Sequence, residues 1–152
     1  MAKINSLKYS KSLECKIEDV FQTVINQQLK YFQFYDSKVK ELEVGLKIKK
    51  SFYTKTTREN IEGSIKVTKL EKNQLLELKC FYGKNIIIQT FSFEENDGYT
   101  LVTYQEQNIF NKKRESLNFS LITIVYRFMF KHKMKKRMNF IEDQTKLMIQ
   151  GV

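Results

Sequence analysis

The spacing of apolar and polar positions divides the chain into elements of two kinds. Leu7, Tyr9, Leu13 and Cys15 share one parity, interrupted by Lys11, and predict a strand. The period then lengthens. Ile17, Val20, Phe21, Val24, Ile25 and Phe32 recur at helical spacing, and Glu18 and Asp19 sit where a helix dipole favours acids. A helix is expected over residues 17–34. Leu42, Val44, Leu46 and Ile48 next alternate with Glu43, Gly45, Lys47 and Lys49, the pattern of an antiparallel strand with one buried and one wet face. The polar residues 54–60 end it. Ile61, Ile65 and Val67 mark a further strand closing at Lys72-Asn73, and Leu76, Leu78, Cys80 and Tyr82 mark another closed by Gly83. Residues 86–93 form the next, ended by Asn96-Asp97-Gly98, a hairpin signal because Asp-Gly tolerates positive φ. Residues 99–107 complete the run. The chain has no proline, so its turns fall to Asn, Asp, Gly and Lys clusters.

The C-terminal part returns to helical spacing. At 100° per residue, Phe130, Met134, Met138, Ile141, Thr145 and Met148 fall within about 40° of one direction, the expected core stripe. Lys131 and Arg137 flank it. Residues 117–130 are apolar nearly all round and should be covered on more than one side. A helix over 115–149 would be roughly 50 Å long. Ile122, Met129, Phe140 and Leu147 form a second apolar line, with Lys136 beside it. Left uncovered by the sheet, that line would bury against a second chain, so a homodimer or a bound partner is expected through these four residues.

Composition narrows the class. A chain of 152 residues is one ordinary domain, 1–152, able to build a core without metals or disulfides. It is rich in aromatics, with 12 Phe and 8 Tyr but no Trp. Cys15 and Cys80 match neither a zinc nor a redox spacing, and are expected as reduced thiols in a cytoplasmic protein. The lysine-studded N-terminus does not read as a signal peptide. The 14 residues 117–130 fall short of the roughly 20 that a membrane span needs. Net charge is +10, of which +8 lies in residues 112–137, with nine Lys/Arg against the single acid Glu115.

The order of elements is strand, helix, antiparallel strands with short turns, then a long C-terminal helix. This resembles the helix-grip fold of the START-like (SRPBCC) superfamily, an α+β fold. The resemblance implies a curved antiparallel sheet of about six strands wrapped on the final helix, with one or two helices after the first strand. The segment Phe128-Met129-Phe130-Lys131-His132-Lys133-Met134-Lys135-Lys136-Arg137-Met138, followed by Ile141-Glu142, is similar to the C-terminus of an uncharacterised family of small bacterial START-like proteins. Val102-Thr103-Tyr104-Gln105-Glu106 fits that family too. The resemblance implies a cavity between sheet and helix that takes lipids, hormones or other apolar molecules, and it brings no catalytic residues.

The candidate ligand-pocket residues are Tyr82, Phe91, Tyr104, Tyr126, Arg127, Phe130 and Met134. They supply apolar bulk with a few polar tips, the usual make-up of a small-molecule site. Arg127 would pair with a carboxylate of the fold or cap an acidic group of the ligand. Other candidates read as surface. His132, the sole histidine, lies among lysines about 160° from the core stripe. A metal site needs several convergent ligands, so none is expected. Glu94, Glu95 and Asp97 cluster at a hairpin tip, where carboxylates stay solvated. Gly83 and Gly98 are isolated and form no phosphate loop.

The basic surface Lys131, Lys133, Lys135, Lys136 and Arg137 admits three readings: a solvated face, attraction to an anionic membrane, or attraction to nucleic acid. An enzyme would need a titratable group inside the cavity, and only tyrosines offer themselves. The expectation is therefore a non-enzymatic domain, without cofactor, that binds a small apolar or amphipathic ligand. The alternative is an interaction protein whose basic helix face meets an anionic surface.

Overall fold

The computed structural model describes residues 3–54, 59–83, 85–110 and 119–151, with side-chain surroundings for 6–51, 62–83, 85–109 and 127–151. The elements run β1 (Lys3–Leu13), α1 (Ile17–Tyr35), β2 (Lys47–Thr54), β3 (Glu59–Glu71), β4 (Leu75–Tyr82), β5 (Asn85–Asn96), β6 (Tyr99–Phe110) and α2 (Phe119–Ile149). The strands form one curved antiparallel sheet in the order β1-β6-β5-β4-β3-β2. One helix follows the first strand, and the last helix lies against α1 and β1. This is the helix-grip architecture.

Parity decides which residues face the helices. Leu76 and Leu78 of β4, Phe91 and Phe93 of β5, and Val102 and Tyr104 of β6 are all buried. Their registers stack them across strands, with Leu76 opposite Phe91 and Phe91 opposite Tyr104. Onto this layer α1 lays Val20, Phe21, Val24 and Phe32, and α2 lays Phe130, Met134, Met138, Ile141 and Thr145. The Phe21 ring meets Phe93 edge-on at 5.2 Å. Asp97 and Gly98 both take positive φ, closing the β5–β6 hairpin as the Asp-Gly pair predicts.

Polar bonds fix the two helices against each other and against β1. The buried Thr145 hydroxyl lies 2.8 Å from Thr23 Oγ1 and 2.7 Å from the Ile141 carbonyl. Lys11 reaches Asn139 Oδ1 and lies 3.9 Å from Glu142 Oε1, while the Glu14 amide donates to Glu142 Oε2. Thr145→Val keeps the shape but removes the shared hydroxyl, so we expect a loss of about 1 kcal/mol in urea unfolding.

Three expectations need correction. The alternation through Leu42, Val44, Leu46 and Ile48 is not one strand, because β2 starts at Lys47. Gly45 takes φ +97°, which swings the chain so that Leu42 and Ile48 are buried while Val44 is 61% exposed. Met148 leaves the core stripe, being 36% exposed near the C-terminal end of α2. The apolar stretch 117–130 is not covered all round at its end: Phe128 is 78% and Met129 62% exposed, and only Phe130 turns inward. Residues 111–118, including the expected first turn of the last helix, lie outside the described residues. Among the described residues no helix is long and apolar enough to cross a membrane.

Candidate ligand site

A cavity of about 360 Å³ lies between the sheet and the two helices, lined by Gln27, Gln28, Tyr31, Lys50, Ile65, Cys80, Tyr82, Ile87, Gln89 and Arg137. Strand pairing builds its floor. Ile65, Cys80 and Ile87 stand opposite one another on β3, β4 and β5. In the adjoining row Lys50 pairs with Gly63, and Gly63 with Tyr82. Gly63 places no side chain between Lys50 and Tyr82, and that gap leaves room. From above, one turn and a half of α1 contributes Gln27, Gln28 and Tyr31, and α2 contributes Arg137.

Arg137 governs the electrostatics. Its guanidinium carbon lies 4.9 Å from the Phe91 ring centre and 5.5 Å from that of Tyr104. The Phe91 and Tyr104 rings are 4.9 Å apart, and Phe130 stacks on Tyr104 at 6.0 Å. A planar cation thus rests on an aromatic platform inside the protein. Burial lowers the Arg137 pKa, opposed by Tyr104 and by the Glu106 carboxylate; a guanidinium still remains charged. Among the described residues Arg137 has ring contacts but no hydrogen bond or ion pair. The Gln27 Nε2, in the same wall, is buried without a hydrogen-bond partner among the described residues.

The other titratable groups of the wall sit far from neutrality. Burial pushes the Tyr82 phenol up, with Glu106 adding to it. Burial likewise raises Tyr31 against the pull of Lys50, whose ammonium donates to the Tyr31 hydroxyl at 2.5 Å. For Lys50, burial alone would lower the pKa, but hydrogen bonds to Tyr31 and Tyr35 outweigh it and the net shift is upward. Beside the cavity, the Tyr104 hydroxyl donates to Glu106 Oε2 at 2.9 Å, and burial raises this phenol strongly.

The Cys80 thiol is pushed up to about 11 by burial and then by Glu106. A raised acid holds its proton in the folded state after the unfolded chain has released it. Stability from Cys80 is therefore intact below pH ~9 and lost as pH rises toward ~11. Between pH ~8 and ~10.5 we expect wild type to lose on the order of 2 kcal/mol more than Cys80→Ala in urea unfolding.

The structure redistributes the residues expected from sequence. Of the seven candidate pocket residues, Tyr82 lies in the cavity wall. Phe91, Tyr104, Phe130 and Met134 are core, the first three forming the platform under Arg137. Arg127 is exposed, one turn beyond the inward-facing stripe, and neither caps the cavity nor pairs within the fold among the described residues. The side chain of Tyr126 lies outside the described residues. Of the five basic surface residues, Lys131, Lys133, Lys135 and Lys136 are exposed, but Arg137 turns inward.

His132, Glu94, Glu95 and Asp97 are exposed. Met129, Phe140 and Leu147 are 62%, 54% and 41% exposed, and the side chain of Ile122 is outside the described residues. The two cysteines are free and buried. Reading from sequence missed Gln27, Gln28, Lys50 and Gln89. The available signal was polarity at inward positions. Gln28 lies four residues from both Val24 and Phe32 on the apolar face of α1, and Gln89 shares the parity of Phe91 and Phe93.

Solved structures share the fold. A point mutant of norcoclaurine synthase from Thalictrum flavum, in complex with a transition-state analogue, superposes with a TM-score of 0.62 at 10% identity, covering 95% of this chain and 96% of that one. Ara h 8.0201 gives 0.59 at 7% identity, with 94% and 98% covered. Protein Ms6760 from Mycobacterium smegmatis gives 0.55 at 14% identity, with 91% and 89% covered. At these identities the likeness is one of fold alone, the helix-grip fold. No curated protein sequence matches the chain. The sequence itself matches one family over residues 7–127, and the chain belongs to that family, described as Domain of unknown function (DUF3284).

Proposed function

We propose that this protein is a non-enzymatic domain that binds one small amphipathic molecule between its sheet and its two helices. The observation that carries the reading is the mixed wall of the 360 Å³ cavity: Ile65 and Ile87 offer apolar surface, while Gln27, Gln28, Gln89, Tyr82 and Arg137 offer polar tips. Small-molecule sites are commonly about 300–1,000 Å³ and combine apolar walls with a few fixed polar groups. A norcoclaurine synthase of the same fold holds a transition-state analogue, which supports the use of this scaffold for small ligands.

The wall favours binding over catalysis. A general acid or base works best with a pKa near the operating pH. Here Tyr31, Tyr82 and Cys80 are raised and Lys50 is raised. Among the described residues, the titratable groups lining the cavity thus keep one protonation state through neutral pH. No carboxylate lines the cavity among the described residues; Glu106 stands beside it, holding the Tyr104 hydroxyl.

The test is a fluorescence titration with N-phenyl-1-naphthylamine, a neutral probe that brightens in apolar sites. Saturable enhancement with a single site per chain, reduced by Ile87→Trp filling the cavity, is the expected result. Enhancement that fails to saturate, or that Ile87→Trp leaves unchanged, would reject the reading.

A further inference from the structure

We infer that the cavity selects ligands bearing a carboxylate, seated on Arg137 and Gln27, with the apolar body lying over Ile65 and Ile87. The inference rests on the binding reading above and names the class of molecule the site takes.

Taking a guanidinium out of water is expensive, by several kcal/mol even after relaxation, unless charge and hydrogen bonds replace the lost water. Arg137 is half-buried as a residue, lies on two aromatic rings, and has no hydrogen bond or ion pair among the described residues. The rings stabilise the charge through their faces but leave the N–H fork, with its five donors, unoccupied. Glu106 lowers the cost through space, since it opposes the downward shift of Arg137. Its carboxylate also accepts a hydrogen bond from the Tyr104 hydroxyl.

The same wall holds a second uncommitted donor, the buried Gln27 Nε2. Buried polar groups without partners are uncommon in folded proteins, and each calls for an explanation. Gln27 Nε2 is the buried one among the described residues, and the Arg137 fork in the same wall also lacks a protein acceptor among them; a single acceptor supplied by a ligand would serve both. Lys50, by contrast, is already engaged with Tyr31 and Tyr35.

The chemistry of the acceptor follows from geometry. A guanidinium fork matches a planar carboxylate through two parallel hydrogen bonds. Arg137 lines the cavity while Phe91 and Tyr104 lie against its guanidinium carbon, so the N–H donors are left for a ligand in the cavity. The remainder of the wall, with Ile65, Ile87 and the flank of Tyr82, suits a flat apolar body.

The experiment displaces bound N-phenyl-1-naphthylamine with two competitors that differ in one group, 2-naphthylacetate and 2-(2-naphthyl)ethanol. Wild type is expected to favour the acid by at least about tenfold, equivalent to about 1.4 kcal/mol. Arg137→Leu should abolish that preference while retaining the alcohol, and Gln27→Leu should reduce it. A Lys131/Lys133/Lys135/Lys136→Glu variant should keep it, because those side chains are on the outer surface. Circular dichroism confirms folding of each variant, and Gln27→Leu stands as the test if Arg137→Leu does not fold. Equal displacement by acid and alcohol in wild type would overturn the inference while leaving the binding reading intact. A preference that survives Arg137→Leu and disappears in the lysine variant would overturn it too. Failure of the reporter itself to bind would instead count against the binding reading.

Discussion

Phe91→Ala is expected to lower the free energy of unfolding by about 3–5 kcal/mol. The ring is 1% exposed and lies under the centre of the structure. It pairs across the sheet with Leu76 on one side and Tyr104 on the other. Its face carries the Arg137 guanidinium at 4.9 Å. Truncation therefore removes apolar burial, an aromatic pair and a cation–π contact together. The void cannot be closed by a strand shift, because β5 is paired on both sides. At this chain length each kcal/mol is worth about 2–4 °C in Tm, so a fall of roughly 10 °C is expected. Urea unfolding with an unchanged slope would report the stability change directly. A loss below about 1 kcal/mol would show that the ring is not enclosed as described.

Arg137→Glu is expected to be the most damaging change at the site itself. It exchanges a cation on two ring faces for an anion facing the same rings and near the Glu106 carboxylate. Rings repel an anion above their faces, and a buried carboxylate without a cation is strongly disfavoured. A loss of about 3 kcal/mol or more at pH ~7 follows. Burial and the neighbouring acid raise the pKa of the introduced carboxyl. A raised pKa means that the folded state binds the proton more tightly than the unfolded chain. The deficit relative to wild type must therefore shrink as pH falls from ~7 toward ~5. Paired urea titrations at the two pH values check this. A deficit that stays constant across that range would show that residue 137 faces solvent.

Much of the fold was legible because strand parity and helix period are local signals. The inward rows Leu76-Leu78-Cys80 and the α2 stripe through Met134, Met138, Ile141 and Thr145 stand in the structure as the spacing predicts. The failures have physical causes. Gly45 can take a positive φ, so an alternating pattern crossed a turn unseen and Val44 emerged at the surface. Arg127 and Arg137 carry the same side chain, and only tertiary packing distinguishes them. Arg137 lies beside Met134 and Met138 on the helix surface and finds two rings from β5 and β6 beneath it. The site was harder still, because its signal is polarity on inward faces. Gln28 and Gln89 look like interruptions of apolar patterns until the cavity that they line is seen.

The consequence for function is a change in where the charge matters. The sequence draws attention to the exposed lysines of α2, but the described cation of that helix that lines the cavity is Arg137. Its neighbours on the outside do not alter its surroundings. On the proposed reading, ligand contact falls to the inward fork of Arg137, while Lys131, Lys133, Lys135 and Lys136 stay on the outer surface.

The most direct test of ligand binding between sheet and helices is a nitrogen-15 correlation spectrum recorded during titration with 2-naphthylacetate. Shifts that saturate and concentrate at Gln27, Gln28, Cys80, Tyr82, Gln89 and Arg137 are expected. Shifts confined to Lys131, Lys133, Lys135 and Lys136, or no saturable shifts, would contradict binding there.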